Sequence, residues 1–316
     1  MKALVQHDYG SPEVLALREV PTPEPDDDEV LIRVRAAAVH AGDYFAMRGS
    51  PAVVRLYVGL PRPRGYVQGE DAAGTVEAVG AKVTGFEPGD EVFGPCGRAC
   101  AEYACAGEDR FVRKPKGLSF EQAAAVPTSA LAALHGLRDA GKVRSGQQVL
   151  INGASGGVGT FAVQLAKAFG AETTGVCSTA NVDLVRSIGA DHVVDYTTED
   201  FTRTGRTYDL ILDNVGDRPF AECRRALKPD GTYLPNSGRA GLGFVISAFV
   251  RSLVDHQQGR PFFSSPKHDD LVVLADLIDG GRVTPVVDRT YALDDAPAAF
   301  AYLGTGHARG KVVIAV

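Results

Sequence analysis

A glycine-rich turn is the segment of this sequence whose residue types and spacing best predict a ligand. Residues 153–159 read Gly-Ala-Ser-Gly-Gly-Val-Gly and fit the pattern A-x-G-x-x-G, with Ala154 at the first glycine position of the dinucleotide-binding fingerprint. The turn follows a strand-length apolar run at 147–152 and precedes a helical pattern that Gly170 ends. Because small residues let the backbone approach a phosphate at a positively polarised helix N-terminus, the segment predicts a pyrophosphate site. A tight strand-to-helix turn without a ligand is the alternative.

The end of the next predicted strand indicates which dinucleotide would bind. Sites for NAD carry Asp or Glu about twenty residues after the glycines, where the acid binds the adenosine ribose hydroxyls. This chain has Ser178 there, and Ser178, Thr179 and Asn181 could donate hydrogen bonds to a 2′-phosphate that a carboxylate would repel. Neither Lys nor Arg stands at position 180 or 181 to neutralise that phosphate. The missing acid favours NADPH over NADH as the cofactor.

The elements that must position these residues fall into two kinds. Short apolar runs between Gly- and Pro-rich turns fill the first third of the chain, which is typical of an antiparallel, barrel-like β domain. After about residue 120, strand-length runs alternate with amphipathic helical segments, which is typical of a doubly wound parallel α/β sheet. The predicted strands cover 3–6, 30–38, 74–79, 91–94 and 102–106, then 147–152, 172–177, 192–196, 208–215 and 231–235, with helices beginning near 181, 220 and 243.

Strand-like residues return between about 284 and 316, so the end of the chain is expected to rejoin the first domain. The predicted domains are therefore 1–122 with 290–316, and 123–289, with a cleft between them.

Composition limits the classes of partner. The 316 residues carry a formal net charge of −6, which argues against a nucleic-acid or anionic-membrane surface. No run approaches the roughly eighteen apolar residues of a membrane span, and the N-terminus does not read as a signal peptide, so a cytoplasmic protein is expected. The five cysteines are odd in number and scattered, which suits reduced thiols rather than disulfides or a structural metal lobe.

Several segments together resemble one known family. INGASGGVGTFAVQLAKAFGAE, VPTSALAALHGL, IGADHVVDYTTEDF, DNVG and the closing ARGKVVIAV resemble the zinc-free medium-chain dehydrogenases/reductases, in particular the quinone oxidoreductases and zeta-crystallin. The resemblance covers nearly the whole chain. It implies a GroES-like β-barrel catalytic domain and a Rossmann NADP-binding domain with the active site between them.

The resemblance also implies roles for individual residues. The implied contacts are Asn152, Ala154, Ser155, Gly156, Gly157, Val158 and Gly159 for the pyrophosphate, Ser178, Thr179, Asn181 and Tyr196 for the 2′-phosphate region, Asn214 and Val215 for the nicotinamide, and Thr128, Ser237 and Lys311 as further cofactor contacts. Three of these residues have structural alternatives: Tyr196 could simply end a strand, Lys311 could be a solvated turn residue, and Thr128 could cap a helix over 129–137.

Zinc-dependent alcohol dehydrogenases also resemble this chain, but their metal ligands are replaced. His40 stands near their early Cys, and Glu70 stands at the His of their G-H-E motif. A His–Glu metal pair would lack a third ligand, so no metal site is predicted. Without a Lewis acid, hydride addition to an electron-poor quinone or enone is easier than alcohol oxidation.

The predicted function is therefore NADPH-dependent, zinc-independent reduction of a small quinone or α,β-unsaturated carbonyl compound. His40 or Tyr44, in the loop HAGDYFAMRG, could hydrogen-bond the substrate carbonyl, although relatives carry Asn at position 40 and plain packing is an equal alternative for both. Two other functions stay open: an enoyl-thioester reductase, with Arg55, Arg62 and Arg64 near the thioester, and a non-catalytic NADPH-binding, crystallin-like protein. The sequence is compatible with a homodimer but does not set the oligomeric state.

Overall fold

The computed structural model describes residues 1–63, 67–237, 262 and 264–316, without the side chain of Tyr57. The chain forms two units, one of residues 1–131, 265–281 and 285–316, and one of residues 132–264 and 282–284. The sequence analysis placed residues 123–289 in the dinucleotide domain. The structure instead groups 123–131, 265–281 and 285–289 with the first unit.

The first unit is built on a seven-stranded sheet. Its order is β13-β14-β3-β4-β5-β7, and β6 pairs with β3, while β1 and β2 form a separate antiparallel pair. In the middle of β3, Ile32 and Val34 alternate with exposed Arg33 and Arg35, so one face of this stretch enters the core. The strands are β1 Lys2–Gln6, β2 Leu15–Glu19, β3 Glu29–Val39, β4 Asp71–Val79, β5 Glu91–Pro95, β6 Tyr103–Gly107, β7 Val112–Arg113, β13 Val287–Ala292 and β14 Lys311–Ala315. Since β14 lies antiparallel to β3, the end of the chain rejoins the first domain as expected.

The second unit contains a five-stranded parallel sheet of order β10-β9-β8-β11-β12. Buried aliphatic residues of the central strands, among them Leu150, Val176 and Ile211, form its core. The strands are β8 Gln148–Asn152, β9 Glu172–Cys177, β10 His192–Asp195, β11 Tyr208–Asp213 and β12 Leu227–Pro235. The doubly wound Rossmann sheet predicted from the sequence is confirmed.

The direction of winding reverses between β8 and β11. The chain proceeds from β8 to β9 and β10 on one side, and from β11 to β12 on the other. Ligands of such sheets bind beyond the carboxyl ends of the strands at this switch point. Asn152 and Asp213 are the last residues of the two strands that meet there, and they pair in register.

The helices connect these strands. Their bounds are α1 Ala41–Arg48, α2 Val54–Val58, α3 Phe120–Ala124, α4 Pro127–Leu134, α5 Gly157–Ala168, α6 Val182–Ser187, α7 Phe220–Cys223, α8 His268–Asp279 and α9 Ala296–Gly304. A π-helical segment, His135–Ala140, extends α4. The helix predicted near residue 243 lies outside the described residues, as does Arg64. Within the described part of the chain, no helix combines the length and apolar character of a membrane span.

Candidate functional site

The glycine-rich turn ends in a helix whose first amides no side chain caps. Gly156 is the N-cap residue of α5 and has no side-chain cap hydrogen bond. Gly159 is buried, and a Cβ at this position would collide with the carbonyl oxygen of Gly153 and the backbone of Ala154. Gly153 itself adopts φ +73°, a left-handed conformation that favours glycine. Amides that no side chain caps, at a closely packed turn, fit a pyrophosphate, which is the arrangement that the fingerprint predicts.

The polar residues predicted for the adenosine side cluster at the end of β9. The Asn181 side-chain amide donates to the hydroxyl oxygens of Ser155, at 3.1 Å, and Ser178, at 3.3 Å. The buried Asn181 Oδ1 has no hydrogen-bond partner within the described ranges. The structure therefore brings Ser155, Ser178 and Asn181 together and leaves an acceptor among them.

An acid that the sequence did not single out lies beside this cluster. The hydroxyl of Thr179 donates to Asp195 Oδ2 at 2.5 Å, and both the amide and the hydroxyl of Thr197 donate to Oδ1, at 3.0 and 2.7 Å. The hydrogen bonds from Thr179 and Thr197 lower the pKa of Asp195, so the group is a carboxylate at neutral pH. Tyr196 follows it with a side chain that is 53 % exposed. Asp195 ends β10, and only the pairing of β10 with β9 brings it next to Ser178 and Thr179.

Residues predicted for the pyrophosphate and for the nicotinamide surround a second acid, Asp213, which is buried. Asn152 donates its side-chain amide to Asp213 Oδ1 at 2.8 Å, while its carbonyl accepts from the side chain of Asn214 at 3.1 Å. The amide of Val215 also donates to Asp213 Oδ1, and the hydroxyl of Ser237 donates to the Val215 carbonyl at 2.8 Å. The side-chain amide of Asn214 and the backbone amides of residues 214–216 are thus all committed to acceptors within the protein.

His40 is fixed at the start of α1 by a capping box. The amides of Gly42 and Asp43 donate to His40 Nδ1 at 2.9 and 3.4 Å, and the His40 amide donates to Asp43 Oδ2 at 2.8 Å. Because Nδ1 accepts, the proton of the neutral ring is on Nε2, and the 3.5 Å contact from Nδ1 to Asp43 is no ion pair. Burial lowers the pKa of His40 to about 4, against the opposing effect of Asp71. The buried Nε2 has no hydrogen-bond partner in the described part of the chain.

Tyr44, the other predicted substrate contact, is used in packing. Its hydroxyl accepts from Arg48 Nη1 at 3.0 Å, and its ring lies so close to Gly304 of α9 that a Cβ there would be 2.6 Å from it. The Tyr44 hydroxyl keeps its own O–H to donate, but of the two candidates it is His40 whose buried ring nitrogen lacks a hydrogen-bond partner among the described residues.

Lys311 and Thr128 meet in the first unit at the buried carboxylate of Asp71. The Thr128 amide donates to both oxygens of Asp71 at 3.1 and 3.2 Å, and its hydroxyl donates to Oδ1 at 2.6 Å. The Lys311 ammonium lies 3.5 Å from Asp71 Oδ2 and donates to Ser129 Oγ at 3.1 Å. Side-chain exposures of 1 % for Lys311 and 0 % for Asp71 show a buried ion pair. Lys311 is therefore not a solvated turn residue, and Asp71, rather than Thr128, caps the start of α4.

Burial raises the pKa values of two further acids near His40. Burial raises the pKa of Glu70 to about 7, with Asp71 and Asp43 adding repulsion, and burial raises the pKa of Asp43 to about 6. Across the described residues, no group of three or more His, Cys, Asp or Glu side chains is placed to hold a metal ion. The side chains at positions 40 and 70 do not fit a zinc site, because His40 Nδ1 accepts from two amides and Nε2 then carries the ring proton, so neither nitrogen offers a free lone pair to a metal. All five cysteines are free thiols, as expected from the sequence.

Comparison with known proteins identifies both units. The model of the alcohol dehydrogenase GroES-like domain matches residues 26–136, and that of the zinc-binding dehydrogenase domain matches residues 188–314. The chain is 35% identical to a 2-methylene-furan-3-one reductase of Solanum lycopersicum over 99% of this chain and 79% of the relative. It is also 35% identical to the mitochondrial NAD(P)H oxidoreductase RTN4IP1 of Mus musculus, over 92% and 82% of the two chains.

A solved quinone oxidoreductase from Coxiella burnetii superposes with a TM-score of 0.88 at 33% identity, covering 100% of this chain and 99% of the other. Matches of this extent confirm the predicted pairing of a GroES-like domain with a Rossmann sheet. The chain belongs to the medium-chain dehydrogenase/reductase family, among its quinone oxidoreductase-like members.

Proposed function

We propose that this protein is an NADPH-dependent reductase of quinones and α,β-unsaturated carbonyl compounds that works without zinc. Family membership makes it an oxidoreductase with a nicotinamide cofactor. The observation that carries the finer proposal is His40, a neutral imidazole with a buried, uncommitted Nε2 donor where zinc enzymes of the family place a metal ligand. The relatives are named for a quinone and for a methylene-furanone, both electron-poor acceptors.

For this reaction the protein has to position the acceptor beside the cofactor and stabilise the charge that develops on the acceptor. When bound, the reduced nicotinamide supplies the hydride, and negative charge then develops on the carbonyl oxygen of the acceptor. His40 Nε2 would donate a hydrogen bond to that oxygen. A ring with a pKa of about 4 stays neutral at pH 7, so Nε2 keeps its proton and Nδ1 keeps its two backbone donors.

His40→Gln and His40→Phe test this role. We expect both variants to bind NADPH normally and to lose kcat, with His40→Gln, which retains a side-chain donor, losing less. Removal of one such donor costs about a hundredfold in kcat. Parent kcat in both variants would contradict the role of His40 while leaving the reductase activity in place.

The preference for NADPH rests on Ser178 at the end of β9, where NAD sites carry an acid. NADH is a second candidate because of Asp195, whose carboxylate binds Thr179 at the same edge of the sheet and would repel a nearby 2′-phosphate. Titration of both cofactors decides between them. We expect tighter binding of NADPH, a narrowed or inverted preference in Ser178→Asp, and a wider preference in Asp195→Asn. Equal affinities in the parent would contradict the preference.

A substrate screen tests the reaction class. Oxidation of NADPH should accelerate with a naphthoquinone and with simple enones, and should stay slower with a crotonyl thioester. Preference for the thioester would instead indicate an enoyl-thioester reductase. Saturable NADPH binding without turnover of any acceptor would indicate a non-catalytic binding protein.

A further inference from the structure

The buried acid at the switch point of the Rossmann sheet has a specific set of partners. Asp213 is 1 % exposed, and none of the ion pairs found among the described residues includes it. Its carboxylate is instead held by hydrogen bonds. Oδ1 accepts from the amides of Val215 and Gly216, each at 3.0 Å, and from the Asn152 side chain at 2.8 Å, while Oδ2 accepts from the Tyr233 hydroxyl at 2.6 Å.

These donors divide into two groups with different consequences. The bonds to Oδ1 fold residues 213–216 into a turn closed by the Asp side chain and tie that turn to the end of β8. The bond to Oδ2 reaches sideways to Tyr233 on β12, whose ring packs against Phe220 at 5.3 Å between centroids. Oδ1 therefore organises the turn, and Oδ2 organises the core beneath it.

The turn held by Oδ1 lies against the phosphate-binding turn. A Cβ on Gly153 would be 2.9 Å from Cγ2 of Val215, so the two turns are in close contact at the carboxyl ends of β8 and β11. Asn236 further fixes the turn by donating to Asn214 Oδ1 at 2.8 Å. A ligand that crosses the switch point from the glycine-rich turn would therefore meet backbone whose conformation Asp213 sets.

We propose that Asp213 is a positioning residue that preorganises the turn 214–216 for the nicotinamide half of the dinucleotide. The proposal rests on the proposed function, since it requires that NADPH binds. A buried carboxylate without a cation is costly, and accepting several hydrogen bonds offsets that cost. An asparagine has the same shape as an aspartate but only one acceptor oxygen, and neutral acceptors form weaker hydrogen bonds. Asp213→Asn should therefore loosen the turn without creating a cavity.

Binding of two ligands to the full-length protein tests the proposal by calorimetry. The affinity for NADPH depends on contacts in both halves of the site, whereas the affinity for 2′,5′-ADP depends only on contacts in the adenosine half. We expect Asp213→Asn to weaken NADPH about tenfold, which is the loss of roughly one charged hydrogen bond, and to change 2′,5′-ADP less than about twofold. Tyr233→Phe is the matched control: it removes the bond to Oδ2, so we expect a lower Tm and parent affinities for both ligands.

Two outcomes would overturn the proposal. Parent affinity for NADPH in Asp213→Asn would show that the acid does not position the turn, and equal weakening of both ligands would show a general structural role. Absence of NADPH binding to the parent would instead overturn the proposed function.

Hydrogen exchange of the parent protein provides a test that does not depend on folding of the variant. If Asp213 preorganises the turn, the amides of Val215 and Gly216 should already exchange slowly without ligand, and NADPH should add little protection. Fast exchange in the free protein that becomes slow only with NADPH would contradict preorganisation.

Discussion

The buried pair of Lys311 and Asp71 permits a quantitative test of what holds the first unit together. Lys311→Met keeps most of the length of the side chain but removes the ammonium, so the hydrogen bonds that the buried Asp71 carboxylate retains among the described residues are those from Thr128. Removing one partner of a buried pair costs about 3–5 kcal/mol. We expect the lower end of this range, because the hydroxyl and amide of Thr128 still stabilise the acid, and because burial already raises the pKa of Asp71 and eases its protonation.

The reverse single variant and the double variant complete the cycle. Asp71→Asn should be destabilised by a similar amount, because it leaves the Lys311 ammonium with Ser129 as its hydrogen-bond acceptor. The double variant contains neither buried charge and should be more stable than the sum of the single losses predicts, with a coupling of about 2 kcal/mol.

The assay is urea unfolding followed by circular dichroism at 222 nm, since the chain has no tryptophan to serve as a fluorescence probe. Losses that add within about 0.5 kcal/mol in the double variant would refute mutual stabilisation. NADPH titration of Lys311→Met on the same samples tests separately whether Lys311 also contacts the cofactor, as the sequence resemblance implies.

Three further predictions concern pH, the glycine-rich turn and metal. Glu70 has a pKa raised from 4.5 to about 7, so the stability that its protonated form contributes is complete below pH 4.5 and lost as the pH rises through 7. The free energy of unfolding of Glu70→Gln, measured in urea, should therefore equal that of the parent at pH 4 and exceed it at pH 8 by at most about 3 kcal/mol. If the difference between the two proteins were the same at both pH values, the pKa of Glu70 would not be raised in the folded state. Gly159→Val should lower Tm without ligand, because a Cβ at this position has no room. Gly157→Val should keep the fold but lose the rise in Tm that NADPH induces. If Gly157→Val showed the same rise in Tm as the parent, the cofactor would not bind at this turn. Elemental analysis should find far less than one zinc per chain, with activity unchanged by chelation, and stoichiometric zinc lost together with activity would contradict a zinc-independent mechanism.

Most of the strands could be predicted from the sequence because their signals are local, although β2 and β7 were not predicted. Alternation of apolar and charged residues in β3, and uninterrupted apolar runs in β8 and β11, reflect one-sided and two-sided burial within a few residues. The glycine-rich turn is equally local, since strand, turn and helix follow one another directly. Segment 265–281 shows the limit of such local signals, because the residues of an amphipathic helix do not indicate which sheet the helix packs against.

The acids of the candidate site could not be predicted, because their partners are distant in sequence. Asp71 acquires its role from Lys311 and Thr128, and Asp195 acquires its role from Thr179, which follows the neighbouring strand β9. Asp213 precedes Asn214 and Val215, which the sequence did single out, yet only the parallel pairing of β11 with β8 and β12 shows that it accepts from Asn152 and Tyr233. A carboxylate at the end of a buried strand, followed directly by a predicted ligand-binding turn, is the signal that could have indicated it.

Asp71 and Asp213 show how the same side chain leads to different expectations in the two units. Each is buried and accepts from backbone amides, at the start of α4 in one case and in the turn after β11 in the other. Asp71 also faces the Lys311 ammonium, so Asp71→Asn leaves a buried positive charge without its partner. The consequence should appear in the free energy of unfolding. The donors that Asp213 faces among the described residues are all neutral, so Asp213→Asn leaves no unpaired charge there and weakens bonds that shape a turn. Its consequence should therefore appear in ligand affinity more than in stability, and comparison of Asp71→Asn with Asp213→Asn in both assays separates the two roles.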